Sequence, residues 1–148
     1  MTTREATDVA AVRRVIEDLA AAIYQKDADA AVALYDEDIV AFDLAPPLAI
    51  DAPVLHDPAH IQSWFDTWKG PIESTPHRIE VRVGGDIAYA FGLRHMTGTK
   101  NDGTKTDLWF RATACLVRRD GRWKIAHMHN SVPFAMDGSR LALLDLTP

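Results

Sequence analysis

At 148 residues, 47% hydrophobic and 25% charged, the chain has the composition of one ordinary globular domain with enough apolar mass for a core. A net charge of −5 without any clustered Lys/Arg stripe argues against nucleic acid as a partner. Cys115 stands alone, which excludes an internal disulfide framework, and neither an apolar leader nor a membrane-length segment is visible, so the expected address is the cytoplasm.

The first predicted element is a helix over Thr7–Lys26, with Asp8 placed to cap it and Val9, Val12, Ile16, Leu19 and Ile23 at three- and four-residue steps. A shorter helix follows over Asp29–Tyr35, then a brief strand over Ile39–Asp43 that Pro46-Pro47 interrupts. Asp57-Pro58 pairs a capping residue with proline at the first helical position. The third helix therefore starts there, carries Ile61, Trp64, Phe65 and Trp68 on one side, and stops at Gly70-Pro71. Beyond it the apolar period changes to two. Strands are expected from His77 to Val83, Ile87 to Thr99, Thr106 to Arg119 and Arg122 to Val132, with turns at Gly84-Gly85-Asp86, Asn101-Asp102-Gly103 and Asp120-Gly121. Helices first and a meander of long strands afterwards predict an α+β architecture: three N-terminal helices packed on a strongly curved antiparallel sheet, with a conical cavity between the layers. Residues 1–148 read as a single domain. Within it, 138–148 form a docked tail, because Leu141, Leu143, Leu144 and Leu146 make it too apolar to be left free.

Four features carry chemistry. Asp43 lies between Phe42 and Leu44-Ala45-Pro46-Pro47, and a carboxylate in an apolar setting is a candidate base, although a strand-end aspartate also caps turns. Trp64 and Trp68, placed one turn apart, suit the wall of a pocket for a flat apolar ligand. On the strand from Ile87, the stripe Tyr89, Phe91, Leu93 and His95 is bulkier than Ala88, Ala90, Gly92, Arg94 and Met96, so it is expected to face the cavity with His95 near the rim. On the last strand, Trp123, Ile125, His127, His129 and Ser131 share a face if the strand is regular. That stripe is either a site or an interface. Two imidazoles without a clear third ligand do not predict a metal, and Ser131 lacks the glycine-flanked elbow of a serine hydrolase.

Three segments resemble the SnoaL-like, ketosteroid-isomerase-related branch of the nuclear transport factor 2-like superfamily. They are Ala31–Asp43, Trp109-Phe110-Arg111-Ala112-Thr113, and Asp120–Ile125 continued by His127–Ser131. The resemblance implies a cystatin-like α+β cone whose members include isomerases, dehydratases, polyketide cyclases and catalytically silent oligomerisation modules. Asp43 falls where ketosteroid isomerases carry their general base. Their oxyanion-hole tyrosine and protonated acid fall near Leu19 and Thr113, which cannot replace those donors, and Tyr24 is more than a turn from Leu19. Similarity to the kinase association domains of the same superfamily implies that Ala126, Met128 and Asn130 face the pocket. His127, His129 and Ser131 would then lie on the outer sheet face beside Trp109, Arg111 and Thr113, where a second subunit packs.

Two functions follow as expectations. The first is a cofactor-independent acid/base enzyme acting on a small apolar carbonyl or polyketide-like substrate. Its catalytic groups would be Asp43 with His95, or His127 and His129 if they face inward, and its pocket would be lined by Trp64, Trp68, Tyr89, Phe91, Met128 and Asn130. The second is a non-catalytic ligand-binding or oligomerisation module. Both imply a homodimer through the outer sheet face, and neither calls for a metal or a cofactor.

Overall fold

A computed structural model describes residues 1–148. In chain order the elements are α1 (Thr3–Gln25), α2 (Ala28–Val32), β1 (Tyr35–Phe42), α3 (Ala52–Leu55), α4 (Pro58–Phe65), β2 (Trp68–Gly84), β3 (Ile87–Lys100), β4 (Lys105–Arg119) and β5 (Arg122–Ser131). The fold is the expected α+β one, with helices packed on a curved sheet. No helix is long and apolar enough to cross a membrane.

Helix α1 begins a turn earlier than expected. Thr2 and Glu5 form a capping box in which the Glu5 amide donates to Thr2 Oγ1 (3.1 Å) and the Thr2 amide donates to Glu5 Oε2 (2.6 Å). Asp8 is therefore not the cap. Its carboxylate instead pairs with Arg118 at 2.6 Å, tying α1 to the end of the sheet. The apolar stripe of α1 is sound: Val12 is fully buried, and Val9, Val15, Ile16 and Leu19 pack against the same core as Ile39, Leu116 and Ile125.

Helix α4 starts as expected, with Asp57 accepting from the Ala59 amide at 3.0 Å, but it ends at Phe65 and not at Gly70. Trp68 belongs to β2, where it pairs with Lys100. Its ring packs against Gly98 and lies 3.8 Å from the Lys100 ammonium. Those strand contacts outcompete the one further turn that helical periodicity alone allows.

The sheet order is β1-β5-β4-β3-β2, antiparallel throughout except that β1 runs parallel to β5. Hairpin turns fall where the Gly and Asp-Gly signals placed them; Asp120 and Gly121 both have positive φ, as a tight two-residue turn requires. Two bulges decide which side chains face the helices. Between β4 and β5, Cys115 pairs with His127 while Leu116 pairs with Ile125, so Ala126 is an extra residue. Between β2 and β3 the register slips between His77 and Glu80, with Arg78 at φ 54. At that slip β2 comes so near β3 that only glycine fits at position 92: a Cβ there would sit 2.8 Å from the Arg78 carbonyl oxygen and 2.9 Å from Ile79 Cα.

Arg118 and Arg119, at the β4–β5 hairpin, are both held by carboxylates. Arg118 binds Asp8 and Asp86 and lies over the Trp123 ring. Arg119 pairs with Asp36, which is buried, and this holds the Asp36 carboxyl below the usual carboxylate range, chiefly through that hydrogen bond. After β5 the chain folds back on itself, with Leu143 N donating to the Pro133 carbonyl oxygen at 2.8 Å. The tail is thus pinned by its backbone, yet Leu141, Leu144 and Leu146 stay exposed because nothing in this chain covers them.

Candidate ligand cavity

The concave side of the sheet and the helices enclose a cavity of about 520 Å³. Its volume comes from small residues. Ala90, Ala112 and Ala114 line the inner face of β3 and β4, and larger side chains there would fill the space. Ile16, Leu19 and Ile23 of α1 roof it, Ile61 and Trp64 of α4 close one side, and Leu44, Ala45 and Pro46 border it after β1. Most of the wall is apolar, as in pockets for small hydrophobic ligands.

Polar groups enter at two places. At one, Asn130 Nδ2 donates to Asp43 Oδ1 at 3.2 Å, and the Leu44 amide donates to the same oxygen at 2.7 Å. Asp43 is exposed, so its apolar sequence neighbours do not bury it. Tyr35, buried and also in the wall, has its phenol pushed up to about 12, first by burial and then by the charge of Asp43. Its hydroxyl is therefore protonated across the physiological range. At the second place Arg94 points inward from β3, its Nε donating to Ser74 Oγ at 2.8 Å and Nη2 to the Ser74 carbonyl oxygen at 2.9 Å. Burial pulls its guanidinium below the ordinary arginine value.

The sequence-predicted residues divide between the two faces of the sheet. Asp43, Trp64, Met128 and Asn130 come together around the cavity. Trp68 does not: it is buried beneath Gly98 and contacts Trp64 at 5.7 Å between ring centroids. The β3 stripe was expected the wrong way round. Ala88 and Ala90 are buried, while Tyr89 and Phe91 are 48% and 43% exposed; of these two only Phe91, as expected, also lines the cavity.

His95 lies on the outer side. It stacks on Trp109 at 4.4 Å and meets Asp107 at 2.6 Å, away from Asp43. His127 and His129 are also outside, although Trp123 and Ile125 are buried, because the extra residue Ala126 reverses the alternation. The His127 Nδ1–H donates to the Val40 carbonyl oxygen at 2.7 Å, and both imidazoles pack edge-on against Phe42. Ser131 accepts from Arg111 Nε at 3.1 Å on that same face, where Thr113 pairs with His129. The cavity has one histidine of its own, His60 on α4. Sequence reading missed His60, Tyr35 and Arg94. Arg94 was legible only as the one charge on the small-residue face of β3.

Comparison with known proteins agrees with this architecture. A SnoaL-like domain profile matches residues 12–135. An NTF2-like protein of unknown function from Pseudomonas putida KT2440 superposes with a TM-score of 0.85 at 29% identity, covering 97% of this chain and 98% of that one. A scytalone dehydratase-like protein from Novosphingobium aromaticivorans gives 0.80 at 15% identity, over 100% and 99% of the two chains. The association domain of C. elegans CaMKII gives 0.69 at 20% identity, over 88% and 99%. No match was found among curated proteins.

Proposed function

The chain belongs to the SnoaL-like domain family, and from that premise we propose that it binds a small, largely apolar carbonyl compound and performs acid/base chemistry on it without a cofactor. The observation that carries this reading is that Asp43 and the buried Tyr35 phenol both line one largely apolar cavity. Asp43 Oδ1 is already held by Asn130 and the Leu44 amide, which fixes the carboxylate for reaction. It takes a proton from the carbon next to a carbonyl, and the electron pair moves onto the carbonyl oxygen. The Tyr35 hydroxyl donates a hydrogen bond to that oxygen as its charge grows. Protonated Asp43 then returns the proton at another carbon, giving isomerisation, or gives it to a β-hydroxyl that the enolate expels as water, giving dehydration. This arrangement supplies from β1 the donor that Leu19 and Thr113 lack.

The test is a tryptophan-fluorescence titration with phenols and cyclic enones, in the wild type and in Asp43→Asn. Phenols mimic the enolate, so saturable binding that tightens in Asp43→Asn supports a base in the cavity. No binding in either protein overturns the assignment for this ligand class.

A second reading has its own observation. Ile87, Tyr89, Phe91 and Phe42 leave an apolar outer sheet face exposed, flanked by His127 and His129. Such a face favours a homodimer through the sheet, and a chain that only assembles would need nothing of Asp43.

A further inference from the structure

We infer that Arg94 is the anchor for a ligand carboxylate, so that the natural ligand is an apolar carboxylic acid and not a neutral carbonyl compound. This rests on the ligand-binding reading of the cavity and names its substrate class. Arg94 shares the inward parity of β3 with Ala90 and Met96, and its cross-strand partners are Pro76 and Phe110. Two of its N–H groups are used by Ser74, which holds the guanidinium on its β2 side. Its Nη1 has no acceptor in the protein. Nor does any carboxylate lie within ion-pair distance, whereas Arg82, Arg118 and Arg119 each have one.

A cation kept partly out of water without a counter-ion is costly, and a glutamine would clamp Ser74 without that cost. A guanidinium, by contrast, presents a planar fork that matches a carboxylate with two parallel hydrogen bonds. Arg94 and Asp43 are the formally charged side chains of the cavity wall at neutral pH with His60 neutral. They lie far apart on it. Asp43 follows β1, Arg94 is on β3, and β5 and β4 intervene in the sheet, which puts their backbones about 14 Å apart at ordinary strand spacing. An acid bound at Arg94 with its reacting carbon at Asp43 therefore spans the cavity from one side chain to the other. Opposite charges at the two ends would also fix which way round it enters.

The experiment compares 2-naphthoate with its neutral amide, 2-naphthamide, by isothermal titration calorimetry on the wild type, Arg94→Gln and Arg94→Lys, each checked for folding by circular dichroism. In the wild type the acid is expected to bind about tenfold more tightly than the amide, a difference of about 1.4 kcal/mol. In Arg94→Gln the two should bind within about twofold of each other while amide affinity is kept, and Arg94→Lys should retain part of the preference. Equal affinity in the wild type, or a tenfold preference that survives Arg94→Gln, overturns the role of Arg94 and leaves the cavity intact. If neither compound binds the wild type, the ligand-binding reading itself fails and takes this inference with it.

Discussion

Replacing Gly92 by alanine tests whether the bulge in β2 shapes the cavity. Gly92 does not need a positive φ, so on backbone grounds alone alanine should help a strand by roughly 0.5–1 kcal/mol. Packing reverses that sign. The new Cβ would lie 2.6 Å from Ile79 Cδ1, 2.8 Å from the Arg78 carbonyl oxygen and 2.9 Å from Ile79 Cα. The first contact is with the end of a flexible side chain and can rotate away; the other two are with backbone and cannot. Forcing β2 outward costs roughly 1–3 kcal/mol, the range for overpacked interiors, for a net loss of about 1–2 kcal/mol. In a chain of this size that lowers Tm by about 3–8 °C. Gly84, at the end of β2, is the control: it too lacks a positive φ, and nothing lies within 4 Å of its added Cβ. Urea denaturation of the two variants should give opposite signs, and Gly92→Ala combined with Ile79→Val should recover only part of the loss, since the backbone contacts persist. If Gly92→Ala proves as stable as Gly84→Ala, β2 does not press on β3 as described.

Three other outcomes are expected. Asp36→Asn removes the charged partner of Arg119 and should cost about 2 kcal/mol at pH 7. Because pairing depresses the Asp36 pKa, that contribution is complete above the ordinary carboxylate range near pH ~4 and disappears as pH falls through the depressed value. Denaturation curves at pH 7, 5 and 2.5 check it, and a gap unchanged at pH 2.5 contradicts the pairing. Of the three tyrosines, Tyr35 should titrate near pH 12 by ultraviolet difference absorption, with Asp43→Asn lowering it while burial keeps it above the ordinary value. A raised phenol pKa stabilises the fold fully below pH ~10, and the benefit fades as pH rises toward 12. All three tyrosines ionising together near 10 would place Tyr35 in water. Finally, Phe91→Glu on the outer face should convert a dimer to monomer in sedimentation velocity at micromolar concentration, without loss of secondary structure. A variant that still sediments as the wild type does moves the interface elsewhere.

Much of this protein was written locally. The Asp57-Pro58 start of α4, the Gly and Asp-Gly turns, the apolar stripe of α1 and the change of period after Gly70 are each set by residues within a few positions of one another, so the helices-then-meander order follows from the chain alone. Asp43, Met128 and Asn130 were legible too, through their position in a resembling family. Facing was not. Which side of β3 turns inward depends on how near β2 lies at Gly92, and which side of β5 does so depends on one extra residue, Ala126, opposite Cys115 and Leu116. Alternation specifies two faces without saying which one is covered. Only the packed sheet, with its bulges in register, sent His95, His127 and His129 outward and brought Tyr35 and Arg94 to the cavity.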